Sequence, residues 1–260
     1  MSRVALILVG WLAASTCAAQ TSVSFPTANA DGTASPTVIT ATLYKPGGRG
    51  PFPAMVVLHH CGGIDAPLLA WAKRLAGAGY VSIVPDSFGP RGVLKVCSNG
   101  RLVTHGTRAG DAYAAADYLR RLPDVRGDRI GAIGFSHGGA TVVQLASRPA
   151  LAAAFRAAVA YYPGCSRGGA SIALPTLVLI GEKDDWTPAA DCTAWASRAA
   201  NADKLAVAVY PDAYHAFDIE GPTRWANGGA SGRHRLQYDG RATADSVAKA
   251  DAFLARWLKP

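Results

Sequence analysis

The chain has 260 residues, half of them hydrophobic and 17% charged, with a formal net charge of +8. This length suffices for one well-buried domain, and no shift in composition marks a second one. The basic residues are scattered and accompany no nucleic-acid-binding motif, which favours a solvated basic surface over a nucleic-acid-binding one.

The first 19 residues have the pattern of an export signal. Arg3 precedes an apolar run that ends at Ala14, and small residues follow up to Ala19. This pattern predicts a signal peptide cleaved after Ala19, with an uncleaved N-terminal anchor as the alternative. The run is too short to cross a bilayer, and no later stretch replaces it. We therefore expect a single periplasmic or secreted domain, residues 20–260, with no membrane attachment after cleavage.

Strand and helix patterns alternate along the rest of the chain, which is typical of a mostly parallel sheet covered by helices on both faces. Seven strands are predicted: Thr37–Tyr44, Ala54–His59, Tyr80–Val84, Arg129–Gly134, Ala157–Tyr162, Thr176–Ile180 and Leu205–Tyr210. Helices are predicted over Pro67–Ala78, Thr107–Leu122 and His137–Ser147, after Pro188, and over Ala242–Leu258. Two irregular segments, 86–106 and 220–240, are expected to shape the pocket.

The pattern Gly-x-Ser-x-Gly occurs twice, and its surroundings decide between the two copies. The copy centred on Ser136 lies between a predicted strand and a predicted helix, which is the context of a nucleophilic serine. Its glycines are needed because side chains in so tight a turn would collide with neighbouring strands. The copy centred on Ser166 follows a strand, but no helical pattern follows it. We predict Ser136 as the nucleophile; a serine that only caps the helix is the alternative.

A serine hydroxyl needs a base to remove its proton, and the base needs an acid to orient it. On this kind of fold the acid and then the base follow the serine along the chain, each just after a later strand. Asp184 and Asp185 follow one buried strand, and His215 follows the last strand. These positions lie at the carboxyl ends of parallel strands, where such sheets build their sites. His215 is the predicted base, and one of the two aspartates is the predicted acid.

The tetrahedral intermediate of such a reaction needs backbone N–H donors for its oxyanion. The amide of His137, directly after the nucleophile, is one predicted donor. The loop after the second strand reads HHCGG, and its glycines let amides turn inward, so Cys61 is the other predicted donor, with His60 as the alternative. A metal site built from the histidines is disfavoured, because no helix carries the i, i+4 spacing of zinc hydrolases. We expect no metal and no cofactor.

Four cysteines follow the predicted cleavage site, and an even number suggests two disulfides in an oxidising compartment. Cys61 and Cys97 lie in loops at the same edge of the sheet, after consecutive strands. Cys165 follows a later strand, and Cys192 lies at the start of the helix after the next strand. We predict the pairs Cys61–Cys97 and Cys165–Cys192; buried free thiols are the alternative.

Five segments together, HHCGG, PDSFGPRG, GFSHGG, GEKDDWTP and YPDAYHAF, resemble the dienelactone hydrolase family of α/β hydrolases over nearly the whole mature chain. The resemblance implies an α/β-hydrolase fold with eight mostly parallel strands, helices on both faces and little or no cap domain. It implies a triad of Ser136, Asp184 and His215, and it places near Arg91 an arginine that helps to bind an anionic substrate. Members that cleave dienelactone carry cysteine where this chain carries Ser136, which leaves a general carboxylester or lactone hydrolase.

The sequence therefore predicts an exported serine hydrolase that acts on a small ester or lactone through an acyl-enzyme. Two alternatives stay open. The same triad could pass the acyl group to an alcohol instead of water, or the fold could serve a catalytically silent binding protein. The intact triad argues against the silent protein, whereas the sequence does not separate hydrolysis from acyl transfer.

Overall fold

A computed structural model of the chain describes residues 19–29, 31–228 and 232–259. The predicted signal peptide lies outside these residues except for Ala19, its last residue. The strands are β1 (Ala19–Ala28), β2 (Ala34–Lys45), β3 (Phe52–Leu58), β4 (Val81–Pro85), β5 (Val125–Phe135), β6 (Ala157–Tyr161), β7 (Thr176–Gly181), β8 (Leu205–Tyr210), β9 (Arg224–Gly228) and β10 (Gly232–Leu236). The helices are α1 (Ala66–Gly77), α2 (His105–Arg120), α3 (His137–Ala146), α4 (Pro149–Ala152), α5 (Ala189–Arg198) and α6 (Gly240–Leu258).

Eight strands form one mixed sheet in the order β1-β2-β4-β3-β5-β6-β7-β8. The pairs β1–β2 and β2–β4 are antiparallel, and all pairs from β4 to β8 are parallel. The predicted fold class, an eight-stranded and mostly parallel sheet, is therefore confirmed. Because β5, β7 and β8 run in the same direction, the loops that follow them meet at one edge of the sheet.

Strand β1 is the one strand of the main sheet that the residue pattern did not predict. It contains Pro26, which interrupts the pairing register with β2. Proline is tolerated in a sheet mainly at an edge, and β1 is an edge strand with a single neighbour. Its outward side chains are polar, and only part of the strand, including Phe25, is buried. The apolar signal that marks the central strands is therefore weak here.

The hydrophobic core has two layers, one on each face of the sheet. Residues of α2, α3 and α5 pack on one face, and residues of α1 and α6 pack on the other. Side-chain caps fix where three of these helices begin: Asp65 accepts a hydrogen bond from Leu68 N before α1, Thr104 caps α2 and Asp239 caps α6. The core thus holds the carboxyl ends of the strands in place on both sides. Within the described ranges, no helix is both long and apolar enough to traverse a bilayer.

The segment 220–240, for which the sequence predicted irregular structure, contains a small antiparallel hairpin of β9 and β10. The chain that leaves the hairpin pairs with the loop after β8, where Gln237 N donates to His215 O at 3.2 Å. The start of the hairpin turn lies against the loop after β7, since a side chain at Gly228 would meet the Trp186 ring within 2.1 Å. The hairpin therefore covers one side of the site at the sheet edge.

Candidate active site

Ser136 lies at a sharp turn between β5 and α3. Its backbone has φ 52° and ψ −110°, a region that non-glycine residues rarely occupy and that costs about 1–3 kcal/mol. Two neighbouring glycines make the turn possible. A Cβ on Gly134 would lie 2.2 Å from Gly138 O, and a Cβ on Gly138 would lie 2.2 Å from Leu58 O. A hydrogen bond from Ser136 N to Tyr161 O, 3.0 Å long, holds the strained residue against β6.

The structure brings Ser136, His215 and Asp184 into one hydrogen-bonded chain. His215 Nε2 is 2.9 Å from Ser136 Oγ, and His215 Nδ1 is 2.8 Å from Asp184 Oδ2. All three side chains are buried. Because the carboxylate can only accept, Nδ1 carries the proton, and Nε2 is left free to accept the serine proton. This geometry suits proton removal from a serine nucleophile.

The Asp184 carboxylate is fixed by the turn that follows it. Its Oδ1 accepts hydrogen bonds from the amides of Trp186 and Thr187, at 2.9 and 2.8 Å, and the Thr187 hydroxyl lies 2.9 Å from Oδ2. Burial alone would raise the pKa of Asp184, but the charge and hydrogen bond of His215, together with two hydrogen bonds from Thr187, outweigh burial and leave the pKa lowered. The carboxylate is therefore ionised at neutral pH.

Asp185 points away from the histidine. Its side chain is exposed, and its carboxylate accepts a hydrogen bond from Arg235 N of β10 at 3.2 Å. Its Oδ1 also lies 3.6 Å from Nδ1 of His234, on the same strand. The two adjacent aspartates thus face different partners, and Asp184 is the one beside His215.

The two residues predicted to donate to the oxyanion line one cavity together with Ser136. His137 is the first residue of α3, so its N–H has no acceptor within the helix. Cys61, in the loop after β3, lines a cavity together with Ser136 and His137. His60, the alternative donor, lies in the same loop and lines the other cavity beside Ser136. Its ring accepts a hydrogen bond from Gly62 N at 2.9 Å and bonds Asp65 at 2.8 Å, which fixes the turn that carries Cys61.

The loop cysteines are joined in the two pairs that the sequence predicted, Cys61–Cys97 and Cys165–Cys192. The pairs span 36 and 27 residues, and each contributes roughly 3–4 kcal/mol in the chain-entropy model. The first disulfide ties the proposed oxyanion loop to the segment after β4 and lines the cavities beside Ser136. The second is fully buried next to α5.

Two cavities meet at Ser136. The smaller, about 160 Å³, extends towards the hairpin and is lined by His215, Tyr162, Ile219, Ala226 and Leu236, among others. The larger, about 330 Å³, extends towards the segment after β4 and is lined by Val96, Gly100, His105, His137 and Thr187, among others. Trp186 and the Cys61–Cys97 disulfide lie with Ser136 at the junction, because these residues line both cavities. A bound molecule can therefore extend from Ser136 in two directions.

Arg91, which the resemblance places at the substrate, has a different environment. Its guanidinium makes two hydrogen bonds of 2.8 Å to the buried Asp111 carboxylate and one of 2.8 Å to Ser87 O. It is not among the described residues that line the two cavities at Ser136. The Asp111 carboxylate neutralises the positive charge that would bind an anionic substrate. The structure therefore does not bring Arg91 to the nucleophile as a free cation.

Several residues of the site escaped the sequence reasoning. Thr187 and Trp186 follow the acid in the same motif, GEKDDWTP, so their position was a usable signal. Arg108 is fully buried and bonds the His137 ring. The one sequence signal that could have indicated it is a charged residue on the buried side of the helix α2. Over the part of the chain described by the structure, no group of three or more His, Cys, Asp or Glu side chains is arranged to hold a metal ion.

Several known proteins are similar to this chain in sequence. A protein of Methylorubrum extorquens named as a carboxymethylenebutenolidase is 27% identical over 223 residues, which cover 77% of this chain and 75% of the relative. A Bradyrhizobium protein named as a 2-oxo-3-(5-oxofuran-2-ylidene)propanoate lactonase is 27% identical over 198 residues, covering 68% of this chain and 78% of the relative.

Solved structures share the fold at lower identity. A Klebsiella pneumoniae protein named as a dienelactone hydrolase has a TM-score of 0.69 at 20% identity and covers 91% of this chain and 100% of its own. A dienelactone hydrolase-like promiscuous phosphotriesterase from metagenomic libraries has a TM-score of 0.63 at 24% identity, with 91% and 98% covered. The sequence model of the dienelactone hydrolase family matches residues 39–258, which is most of the described part of the chain. The chain therefore belongs to the dienelactone hydrolase family, and it is a hydrolase of that family.

Proposed function

We propose that this chain is an exported serine hydrolase that cleaves carboxylic esters or lactones through an acyl-enzyme on Ser136. The observation that carries the proposal is the unbroken hydrogen-bonded chain from Asp184 through His215 to Ser136, placed where two cavities meet. The lactonase name of one relative supports lactones among the substrates. The predicted signal peptide and two disulfides support export to an oxidising compartment.

In the proposed reaction, Ser136 Oγ attacks the substrate carbonyl while its proton moves to His215 Nε2. The oxyanion receives hydrogen bonds from the amides of Cys61 and His137, and Asp184 stabilises the imidazolium. The carbon–oxygen bond then breaks, and His215 returns the proton to the leaving alcohol. A water molecule repeats the sequence: it loses its proton to His215, attacks the acyl carbon and releases the acid with Ser136 restored.

The position of His215 supports a different role for each of the two cavities. The leaving oxygen must lie next to Nε2 to receive its proton, so the alcohol part of the substrate occupies the smaller cavity, which His215 lines. The acyl part then occupies the larger cavity, which His137 and Gly100 line. A lactone places both parts in one ring across the junction.

This assignment predicts opposite effects for two cavity-filling variants. Ala226→Leu should lower kcat/KM for benzyl acetate relative to ethyl acetate by about tenfold, because the added methylenes occupy the alcohol cavity. Gly100→Leu should instead lower kcat/KM for ethyl hexanoate relative to ethyl acetate by about tenfold. Acid release at constant pH measures all three esters. Each variant is the control for the other, and crossed effects would reverse the assignment of the cavities.

The proposed nucleophile is tested directly by covalent labelling. A fluorophosphonate probe should add one phosphonyl group per chain, and peptide mapping should find it on Ser136, because only a serine activated by a base reacts quickly with such probes. Label on Ser166, which lies exposed on a turn after β6, would contradict the assignment.

Product analysis in water containing an added alcohol separates hydrolysis, which yields acid, from acyl transfer, which yields a new ester.

A further inference from the structure

We propose that Arg108 is a positioning residue that holds the two oxyanion donors at a fixed separation; this inference rests on the proposed function above. Arg108 lies in the first turn of α2, and its side chain is fully buried. It touches neither Ser136 nor the cavities at the nucleophile, so far as the described residues show. Its influence on the reaction would therefore pass through the residues that it contacts.

The guanidinium joins the two halves of the oxyanion site. Arg108 Nη2 donates to His59 O at 2.7 Å, two residues before Cys61, and Nη1 donates to His137 Nδ1 at 2.8 Å. The loop after β3 and the turn after β5 are far apart in sequence, and each supplies one donor amide. A planar guanidinium bonds both at once in a rigid geometry, which a flexible lysine cannot reproduce. The pairing of β3 with β5 brings the two segments side by side, and the Arg108 side chain then fixes the spacing between the two donors beyond the ends of the strands.

The same contact fixes the state of the His137 ring. A guanidinium only donates, so Nδ1 must accept, and the ring is neutral with its proton on Nε2. Burial, and after it the positive charge of Arg108, hold the pKa of His137 far below its usual range. No hydrogen-bond partner for Nε2 occurs among the described residues. The ring is packed against His105, with centroids 4.1 Å apart, so Arg108 provides its one polar anchor there.

A buried guanidinium is costly, which makes its presence informative. Burial lowers the pKa of Arg108 to about 9, opposed by the charge of Asp111 one turn further along α2. A well-packed apolar side chain at such a place is often as stabilising as a buried ion pair, or more so. Helix packing alone would therefore not require arginine here. A fork that joins the backbone of one segment, at His59 O, to the His137 ring of the other does require it.

The test compares Arg108→Met with a matched variant on the same helix, Arg120→Met. Arg120 donates to Ala154 O at 3.2 Å, so it too bonds a backbone carbonyl, but at the opposite end of α2. We expect Arg108→Met to lower kcat for an ester about 100-fold with KM changed less than threefold, because misplaced oxyanion donors act on the transition state. Affinity for phenylboronic acid, which forms a tetrahedral adduct on the serine, should fall by a similar factor. Arg120→Met should leave both quantities unchanged.

Arg108→Lys covers the case in which the methionine variant does not fold. The lysine keeps the charge and one donor direction, so a loss of about tenfold in kcat and in boronate affinity is expected. Wild-type kcat and boronate affinity in a folded Arg108 variant would overturn the proposal, as would a loss confined to KM. If instead the wild-type protein neither hydrolyses esters nor takes up the fluorophosphonate, the proposed function fails, and this inference fails with it.

Discussion

Replacing Ser136 with alanine should lower the turnover of every ester substrate by about a millionfold, the loss expected when the nucleophile of such a triad is removed. The acyl-enzyme can no longer form, and His215 has no hydroxyl proton to accept. Some acceleration over the reaction in water should remain, because the proposed oxyanion donors, the amides of Cys61 and His137, stay in place. Initial rates with p-nitrophenyl acetate over a wide range of enzyme concentration measure the loss.

Ser166→Ala is the matched control, since it removes the serine hydroxyl from the other copy of the Gly-x-Ser-x-Gly pattern. Ser166 is exposed on a turn and should be replaceable without loss of turnover. Both variants should unfold near the wild-type temperature, because alanine at position 136 meets the same backbone strain as serine. Turnover of Ser136→Ala within a hundredfold of the wild type would mean that another group attacks the carbonyl.

The elements that position the triad were predictable because their sequences carry strong local signals. Strands β3, β6 and β7 are buried on both faces and are therefore continuous apolar runs. Ser136 directly follows the buried apolar end of β5, the acid lies three residues after β7, and His215 lies five residues after β8, the last strand of the main sheet. The order of serine, acid and base along the chain then restricts the choice to a few residues. Neighbouring aspartates were separable only by resemblance, since local composition treats them alike.

The residues that support the triad were not predictable in the same way, because their roles arise from contacts between distant segments. Arg108 and its acceptor His59 O are 49 residues apart, and no local pattern links them. The strands β9 and β10 have five residues each, mostly polar or glycine, and the tryptophan of β9 is exposed, so they lack the alternation of apolar and polar residues that marks a strand. Arg91 is the reverse case, in which a motif predicted a role that the structure does not show. The motif indicated a contact with the substrate, but the Arg91 side chain is held by the buried carboxylate of Asp111.

Asp184→Asn should lower turnover about 10⁴-fold while the protein stays folded. An amide in place of the carboxylate cannot stabilise the imidazolium and favours the wrong tautomer of His215. The fold should survive, because the asparagine oxygen can still accept from the amides of Trp186 and Thr187. The free energy of unfolding of Asp184→Asn should also depend less on pH at acidic pH than that of the wild type. Folding lowers the pKa of Asp184, so its charge stabilises the fold above its ordinary pKa, and this contribution disappears as the pH falls.

Asp185→Asn is the control for this change, because it alters the adjacent carboxylate in the same way. Asp185 is exposed and bonds Arg235 N of the hairpin rather than His215, so its loss should cost about tenfold or less in turnover. Kinetics of both single variants and of the double variant are needed, since a shift of the loop after β7 would let Asp185 replace its neighbour. A double variant much slower than Asp184→Asn would reveal such a rescue. If Asp185→Asn is the crippling change and Asp184→Asn the mild one, the acid is misassigned, although Ser136 and His215 keep their proposed roles.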